Sequence, residues 1–429
     1  MKNWIIIFLT VISSACAQEE QHYVILHKAN IIPMSRDTIL HDKTITIKND
    51  RILSISAGLN KKYLAKSSLI IDCTGKYIIP GLFDSHFHYG RNKELYGALD
   101  SLLLKFGVTN VLAMNGSIEL QEYKKTIRLK EEPKPEIETT GRIQNGSTLT
   151  KEEAVNIIQE HKRNGYKFVK TYTHLSSDAF FAFNENANKY GIRILGHIPR
   201  KIGFFELMKS QQELICHAEE ILYNEPVNYL MGLEYMNEPN YKLTDTVASI
   251  LGKHNKWVSP TLVAFHSILQ QSKMKEFEID GSDLKQKIAK HWNWLPPNNK
   301  IPSKFDSNGK RFRLEKGFLF QKRLVKSLKT YKVKMLAGTD APAYWGLLPG
   351  EALHKELALL ASCGLTNFEV LETATINAAE FLKIEGDYGT VQISKVANLI
   401  ILNKNPLDDI TNTLTIDKII LKGKILKQW

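Results

Sequence analysis

The chain has 429 residues, 43% of them hydrophobic, so it can bury a large core and is neither a small stapled scaffold nor a disordered segment. Its formal net charge is +12, but no run of five basic residues occurs and no nucleic-acid motif stands out. The charge therefore reads as a solvated surface, with no nucleic acid expected as partner.

Residues 1–17 read as an export signal. Lys2 supplies the positive start, Trp4 to Ile12 a short apolar stretch, and Ala15-Cys16-Ala17 a small-x-small cleavage site. The stretch is too short to span a bilayer. Lipoprotein processing at Cys16 is the alternative and the one expected route to a membrane, but Ser13 stands where such sites usually carry an aliphatic residue. Simple cleavage is the expectation, giving a periplasmic or secreted protein. Cys73, Cys216 and Cys363 would then remain, an odd number with no CxxC, and they read as buried thiols.

From Tyr23 to Ile79 short strand-forming runs alternate with turns: Val24 to Leu26, Thr44 to Ile47, Arg51 to Ile55 and Leu69 to Asp72. The C-terminal stretch has the same texture, with Leu399 to Leu402 and Ile419 to Leu421 around a turn at Pro406. This predicts one small β-sandwich domain built from both termini, residues 18–79 and 385–429. The middle, 80–384, alternates strand-like and helix-like segments. Strands are expected at Ile78 to Phe83, Val108 to Met114, Glu136 to Thr140, Tyr166 to Tyr172, Ile192 to His197, Glu213 to His217, Trp257 to Leu262 and Val333 to Thr339. Between them lie helices such as Thr150 to Asn164, opened by the capping box Thr150/Glu153, and Ser176 to Tyr190. Eight βα units predict an α/β fold, a (β/α)8 TIM barrel. A doubly wound sheet competes, but no glycine-rich dinucleotide fingerprint supports it. Two long connections, Ala218 to Tyr241 and Val263 to about Asn308, are candidate lids or specificity loops; the second carries His266, Trp292, Trp294 and Pro296-Pro297.

The strongest local signal is Pro80-Gly81-Leu82-Phe83-Asp84-Ser85-His86-Phe87-His88. Strand alternation puts Asp84, His86 and His88 on one face, where two imidazoles can grip one metal ion. Alone, such a pair is weak evidence. It gains weight because other hydrophobic strands also end in polar ligands: Lys170, His197, His217 and Asp340. Packing gives no reason for this, and in a barrel these strand ends converge on one rim. Cys216 falls on the face opposite His217 and is not expected to be a ligand.

With these residues in place the sequence resembles the amidohydrolase superfamily over nearly the whole mature chain. The match includes Asp72-Cys73-Thr74-Gly75-Lys76 leading into the His-x-His strand, Ala337-Gly338-Thr339-Asp340-Ala341-Pro342, Ala374-Thr375-Ile376-Asn377-Ala378-Ala379 and Ala397-Asn398-Leu399-Ile400. It looks closest to the branch holding imidazolonepropionase-related proteins and metal-dependent dipeptidases that cleave before proline. Asn398, where the family usually has Asp, and Ile393-Ser394-Lys395, where a Gly usually precedes the Lys, depart from the pattern away from the metal site.

The resemblance implies that His86, His88 and Asp340 hold one metal, His197 and His217 a second, and Lys170 bridges both. An ammonium has no lone pair, so a bridging lysine must be carbamylated by carbon dioxide. Two divalent metals, zinc best suited to the donors and manganese or iron open, would share a hydroxide that attacks a substrate carbonyl. Asp340 would move the proton to the leaving amine. Tyr89, Tyr172 and Arg200 lie just past ligand positions and are candidate substrate contacts, the Arg suited to a carboxylate. The expected substrate is a small molecule or short peptide: a dipeptide, an N-acyl amino acid or a cyclic amide. Ester, lactone or phosphotriester hydrolysis would use the same metals, and a catalytically silent interaction scaffold is the competing class. Oligomeric state is left open, a homo-oligomer included.

Overall fold

The computed structural model describes residues 22–66, 69–129, 133–224, 226–227, 239–274, 283–294 and 308–426. The expected export signal, Cys16 and the Pro296-Pro297 pair lie outside the described residues.

One eight-stranded sheet joins the two ends of the chain. Its N-terminal strands are β1 (Tyr23–Ile31), β2 (Leu40–Lys48), β3 (Arg51–Ser56), β4 (Leu69–Asp72) and β5 (Tyr77–Pro80). The sequence reading ran Ile78 into the first barrel strand; instead Tyr77–Pro80 pairs antiparallel with a C-terminal strand, Pro80 opposite Leu399 and Tyr77 opposite Leu402. The chain breaks at Gly81, where a Cβ would sit 2.2 Å from the Thr109 hydroxyl.

The barrel strands follow: β6 (Leu82–Phe87), β7 (Val108–Ala113), β8 (Glu136–Thr139), β9 (Phe168–Thr171), β10 (Arg193–Gly196), β11 (Gln212–Cys216) and β12 (Trp257–Ser259). The ends of the large sheet are completed by β13 (Leu399–Leu402), β14 (Ile416–Leu421) and β15 (Lys424–Ile425). In that sheet the order is β15-β14-β13-β5-β1-β2-β3, with β4 also paired to β1.

All barrel pairings are parallel, β6-β7-β8 in one run and β9-β10-β11-β12 in the other. Two seams close the circle. A bridge between Gln144 and Thr171 joins β8 to β9. The eighth strand, expected at Val333 to Thr339, is reduced to a bridge at Met335, yet its backbone still links both neighbours. The Leu336 N–H donates to the Val258 carbonyl at 2.9 Å, and the Ser85 N–H to the Ala337 carbonyl at 2.9 Å. Gly338 permits the close approach, because a Cβ there would lie 2.6 Å from the His86 Cβ and 2.7 Å from the Ser259 hydroxyl.

Strand alternation divides the core. Val111, Val169, Ile194, Ile215 and Val258 face the surrounding helices, whereas Phe83, Leu112, Phe168, Leu195, Leu214 and Leu336 fill the barrel interior. Helix Ile376–Leu382 plugs its base, with Phe381 stacked on Phe168 at 6.0 Å. The capping box at Thr150 is present on helix Lys151–Arg163. The predicted helix Ser176 to Tyr190 is Ser177–Asn186 followed by a tighter turn, Ala187–Tyr190. The strand predicted to run from Trp257 to Leu262 stops at Ser259: Pro260 lacks a donor, and Thr261 (φ 47°) turns the chain into helix Leu262–Gln271. Cys73, Cys216 and Cys363 are buried free thiols.

Candidate metal centre

The apolar layer inside the barrel sits directly below a polar one. Lys170 follows Phe168 on the same strand face, and His197 follows Leu195, so the residue two positions beyond each core side chain reaches the rim. Three ligands need more than alternation. On β6, Leu82 and Phe87 both join the outer core while Phe83 joins the interior, so the alternation changes phase at the register irregularity between Asp84 and Phe87. This separates Asp84 from His86. Its carboxylate accepts from the Thr339 hydroxyl at 2.6 Å, the Thr339 N–H at 3.1 Å and the His86 N–H at 3.2 Å, tying β6 to the eighth strand. On β11, Leu214 and Cys216 occupy the interior face, and His217 reaches the pocket with φ at 71°. Asp340 has φ at 58°. Left-handed backbone at non-glycine residues costs on the order of 1–3 kcal/mol and tends to persist where function demands it.

The side chains converge. The His88 and His86 Nε2 atoms lie 2.7 and 3.3 Å from Asp340 Oδ1, and the donor atoms of His86, His88 and Asp340 all fall within 4.8 Å of one another, a group able to hold a metal ion. Lys170 Nζ is 3.1 Å from His86 Nε2. The His217 ring is 4.5 Å from that of His86 and 4.7 Å from that of His197. Outer partners orient the rings: Glu220 Oε1 is 2.9 Å from His197 Nδ1, and the Thr261 hydroxyl 2.7 Å from His217 Nδ1. The opposite nitrogen of His197, Nε2, is buried without a partner.

Electrostatics follow from burial. Desolvation pushes His86 down to about 3 and His217 well below its ordinary range, so both present neutral, lone-pair-bearing nitrogens at neutral pH. Burial also lowers Lys170, against the pull of Cys216, Asp340 and Glu220. Burial alone would raise Asp340, but the imidazoles of His86 and His88 hold it well below the usual carboxylate range. An imidazole–carboxylate set with an orphaned buried nitrogen and an amine capable of becoming an anion fits a divalent metal site.

The rim encloses a cavity of about 400 Å³, lined among others by His88, Lys170, His197, His217 and Asp340. Tyr172 and Arg200 line it as well, the Tyr172 ring lying 3.9 Å from that of His197 at a tilt of 41°. Tyr89 does not. It is buried in the outer core, where its hydroxyl donates to Asp100 at 2.5 Å, because the chain leaves the strand geometry after Phe87. Sequence reasoning missed Glu219, Glu220, Tyr223 and Tyr344, all lining the cavity. Glu219 and Glu220 directly follow the strand-end His217, and that adjacency was the available signal. Trp292, from the second long connection, also lines the cavity, and Trp294 anchors that connection by donating to the Pro342 carbonyl at 2.8 Å.

Comparison with known proteins agrees with this architecture. The chain is 22% identical over 386 residues to an imidazolonepropionase of Fusobacterium nucleatum subsp. nucleatum, covering 86% of each. Its fold is similar to that of a Xaa-Pro dipeptidase with methionine bound in the active site, with TM-score 0.71 and 17% identity over 94% of this chain and all of that one. It is also similar to a prolidase complexed with N-methylphosphonate-L-proline, with TM-score 0.66 and 17% identity over 95% of this chain and all of that one. The amidohydrolase family model matches residues 77–426, so the chain belongs to the amidohydrolase family and is a metal-dependent hydrolase acting on carbon–nitrogen bonds.

Proposed function

We propose that the protein hydrolyses the amide C–N bond of a dipeptide, an N-acyl amino acid or a cyclic amide at a binuclear divalent-metal centre. The observation that carries this reading is Lys170, which has no solvent exposure, touches His86 and makes no ion pair among the described residues. An ammonium there would repel any cation held by His86. The free amine favoured by burial instead adds to carbon dioxide: a nitrogen–carbon bond forms, an N–H proton leaves to solvent, and the anionic carbamate offers two oxygens.

We assign His86, His88 and Asp340 to the more buried ion and His197 and His217 to the second, with carbamylated Lys170 between them. Zinc suits this donor set best. When bound, such ions supply Lewis acidity towards a carbonyl and make water nucleophilic near neutral pH. Asp340 takes the proton released by the attacking water and passes it to the departing nitrogen. Glu220 and Thr261 fix the ring orientations of His197 and His217 throughout. The amino-acid-like ligands named for the two structural neighbours support a small amino-acid or peptide-like substrate. Residues 1–17 as an export signal, 18–79 with 385–429 as the β-domain and 80–384 as the barrel complete the proposal, with the enzyme acting outside the cytoplasm.

The deciding experiment is a screen of dipeptides, N-acyl amino acids, cyclic amides, lactones and phosphotriesters with metal-loaded protein. Turnover of amides above the others is expected. Turnover confined to lactones or phosphotriesters would move the activity to the ester class, and none at all would favour a silent scaffold.

A further inference from the structure

Where β10 stops, side chains take over from the sheet. The strand ends at Gly196, and one residue on, the His197 N–H still donates to the Thr171 carbonyl at 3.1 Å. The His197 carbonyl is held differently. Gln212 Nε2 lies 3.0 Å from it, and 3.2 and 3.3 Å from the carbonyls of Gly196 and Leu214. Three acceptors on one side fix the amide with its NH2 group towards them, so Gln212 Oε1 faces the other way and accepts from the Thr171 hydroxyl at 2.9 Å. Neither Gln212 nor Thr171 has any solvent exposure. An irregularity in the sheet brings them together. Ile194 lies opposite Gln212 but Leu195 opposite Leu214, so Glu213 is an extra residue, and Gln212 shares the outer face with Ile194. Thr171 follows the inward-facing Lys170 and points to that same outer face.

Resting on the two-ion reading above, we infer that Gln212 and Thr171 are positioning residues for the second ion. They clasp two neighbouring strands at once: Thr171 adjoins Lys170 in the chain, and Gln212 grips the backbone of His197 itself. Glu220 orients the His197 ring, but a ring presents its Nε2 only from where its backbone stands. Metal–ligand distances hold to within about 0.2 Å, so a strand end free to slide would cost the ion. A buried polar cluster with its donors and acceptors all used specifies one arrangement, which an apolar pair at these positions would not. The first ion is supported separately. His86, His88 and Asp340 stand on β6 and around the eighth strand, where Asp84 ties the two through Thr339, and no hydrogen bond of the clasp reaches them among the described residues. Loss of the clasp therefore falls on one ion of the two.

The test is chelator competition with zinc and bicarbonate, without substrate, resolving two dissociation constants per chain. His197→Ala and His88→Ala mark which constant belongs to which ion. Thr171→Val and Gln212→Met should each weaken the ion marked by His197 about ten- to a hundredfold and leave the one marked by His88 within about twofold. Thr171→Ser keeps the hydroxyl and should restore the affinity. Should Gln212→Met fail to fold, the Thr171→Val and Thr171→Ser pair carries the test alone. Equal weakening of both ions, weakening of neither, or a Thr171→Ser protein as poor as Thr171→Val would overturn the inference while leaving the two-ion centre intact. A single ion in the unaltered protein would end the binuclear reading and this inference together.

Discussion

Two regions of this barrel bury ionisable groups, and they treat them differently. On the outer wall Lys256, His354 and Glu356 are fully used. Lys256, lowered by burial to about 8, donates to the Ser210 and Gln212 carbonyls at 2.6 and 2.8 Å. His354, pushed by burial down to about 4, is held between the Thr413 hydroxyl at 2.8 Å and the Phe106 carbonyl at 2.9 Å. Glu356 accepts the Leu262 and Val263 N–H groups with separate oxygens, capping helix Leu262–Gln271. At the rim, Lys170 has one imidazole for a partner, while His197 Nε2 and an Arg200 nitrogen have none. Burial and shifted protonation are common to both regions. Elsewhere unused polar atoms are scattered, as at His161 Nε2 and Gln321, whereas at the rim they gather around one cavity, and an unsatisfied buried polar group costs about 1–3 kcal/mol unless something fills it. That cost is the physical mark of a site awaiting a ligand.

Swapping the two lysines breaks the comparison most sharply. Lys170→Ala should lower turnover by about a thousandfold or more with little loss of stability, because no protein carbonyl is orphaned. Steady-state kinetics and thermal unfolding check this; near-normal turnover would remove Lys170 from the centre. The next largest effect is on the outer wall. A histidine whose folded pKa is about 4, against an ordinary 6.5, contributes stability that is present above pH 6.5 and lost as pH falls towards 4. The total is roughly 3 kcal/mol. Urea unfolding across that range should show a shallower acid loss for His354→Gln; equal slopes would assign the loss elsewhere.

Returning to the rim, Glu220→Gln keeps the shape around His197 but weakens its orientation. Metal affinity or kcat should fall about ten- to a hundredfold, in line with other partners of metal-binding histidines. Chelator titration with activity recovery measures it, and unchanged affinity would reduce Glu220 to a packing role. The smallest effect is Lys256→Met, which leaves two carbonyls short of a donor. It should cost about 1–2 kcal/mol in unfolding and leave kcat/KM within about twofold. A large loss of turnover would mean the outer wall is not separable from the chemistry.

Much of this layout was legible in the sequence because it rests on periodicity. Apolar strands ending in Lys170 and His197 need only alternation to reach the rim, and the strands at both termini announce a shared sheet. What escaped depends on departures from regular backbone. The phase change within β6 separated Asp84 from His86, and left-handed conformations at His217 and Asp340 are set by tertiary contacts that no local pattern records. Tyr89 was misplaced because it was chosen for lying just past His88, whereas the chain there turns its side chain towards Asp100. Glu219 and Glu220 went unread, because carboxylates after a histidine are common on loops; only the folded rim shows Glu220 bound to His197 and both residues lining the cavity.

The account stands on the rim holding two cations bridged through Lys170. Elemental analysis of the purified protein, after saturation with zinc and bicarbonate and removal of loose metal, addresses that directly. Close to two equivalents per chain are expected, falling to one or fewer in Lys170→Ala. One equivalent in both proteins, or none in either, would contradict it.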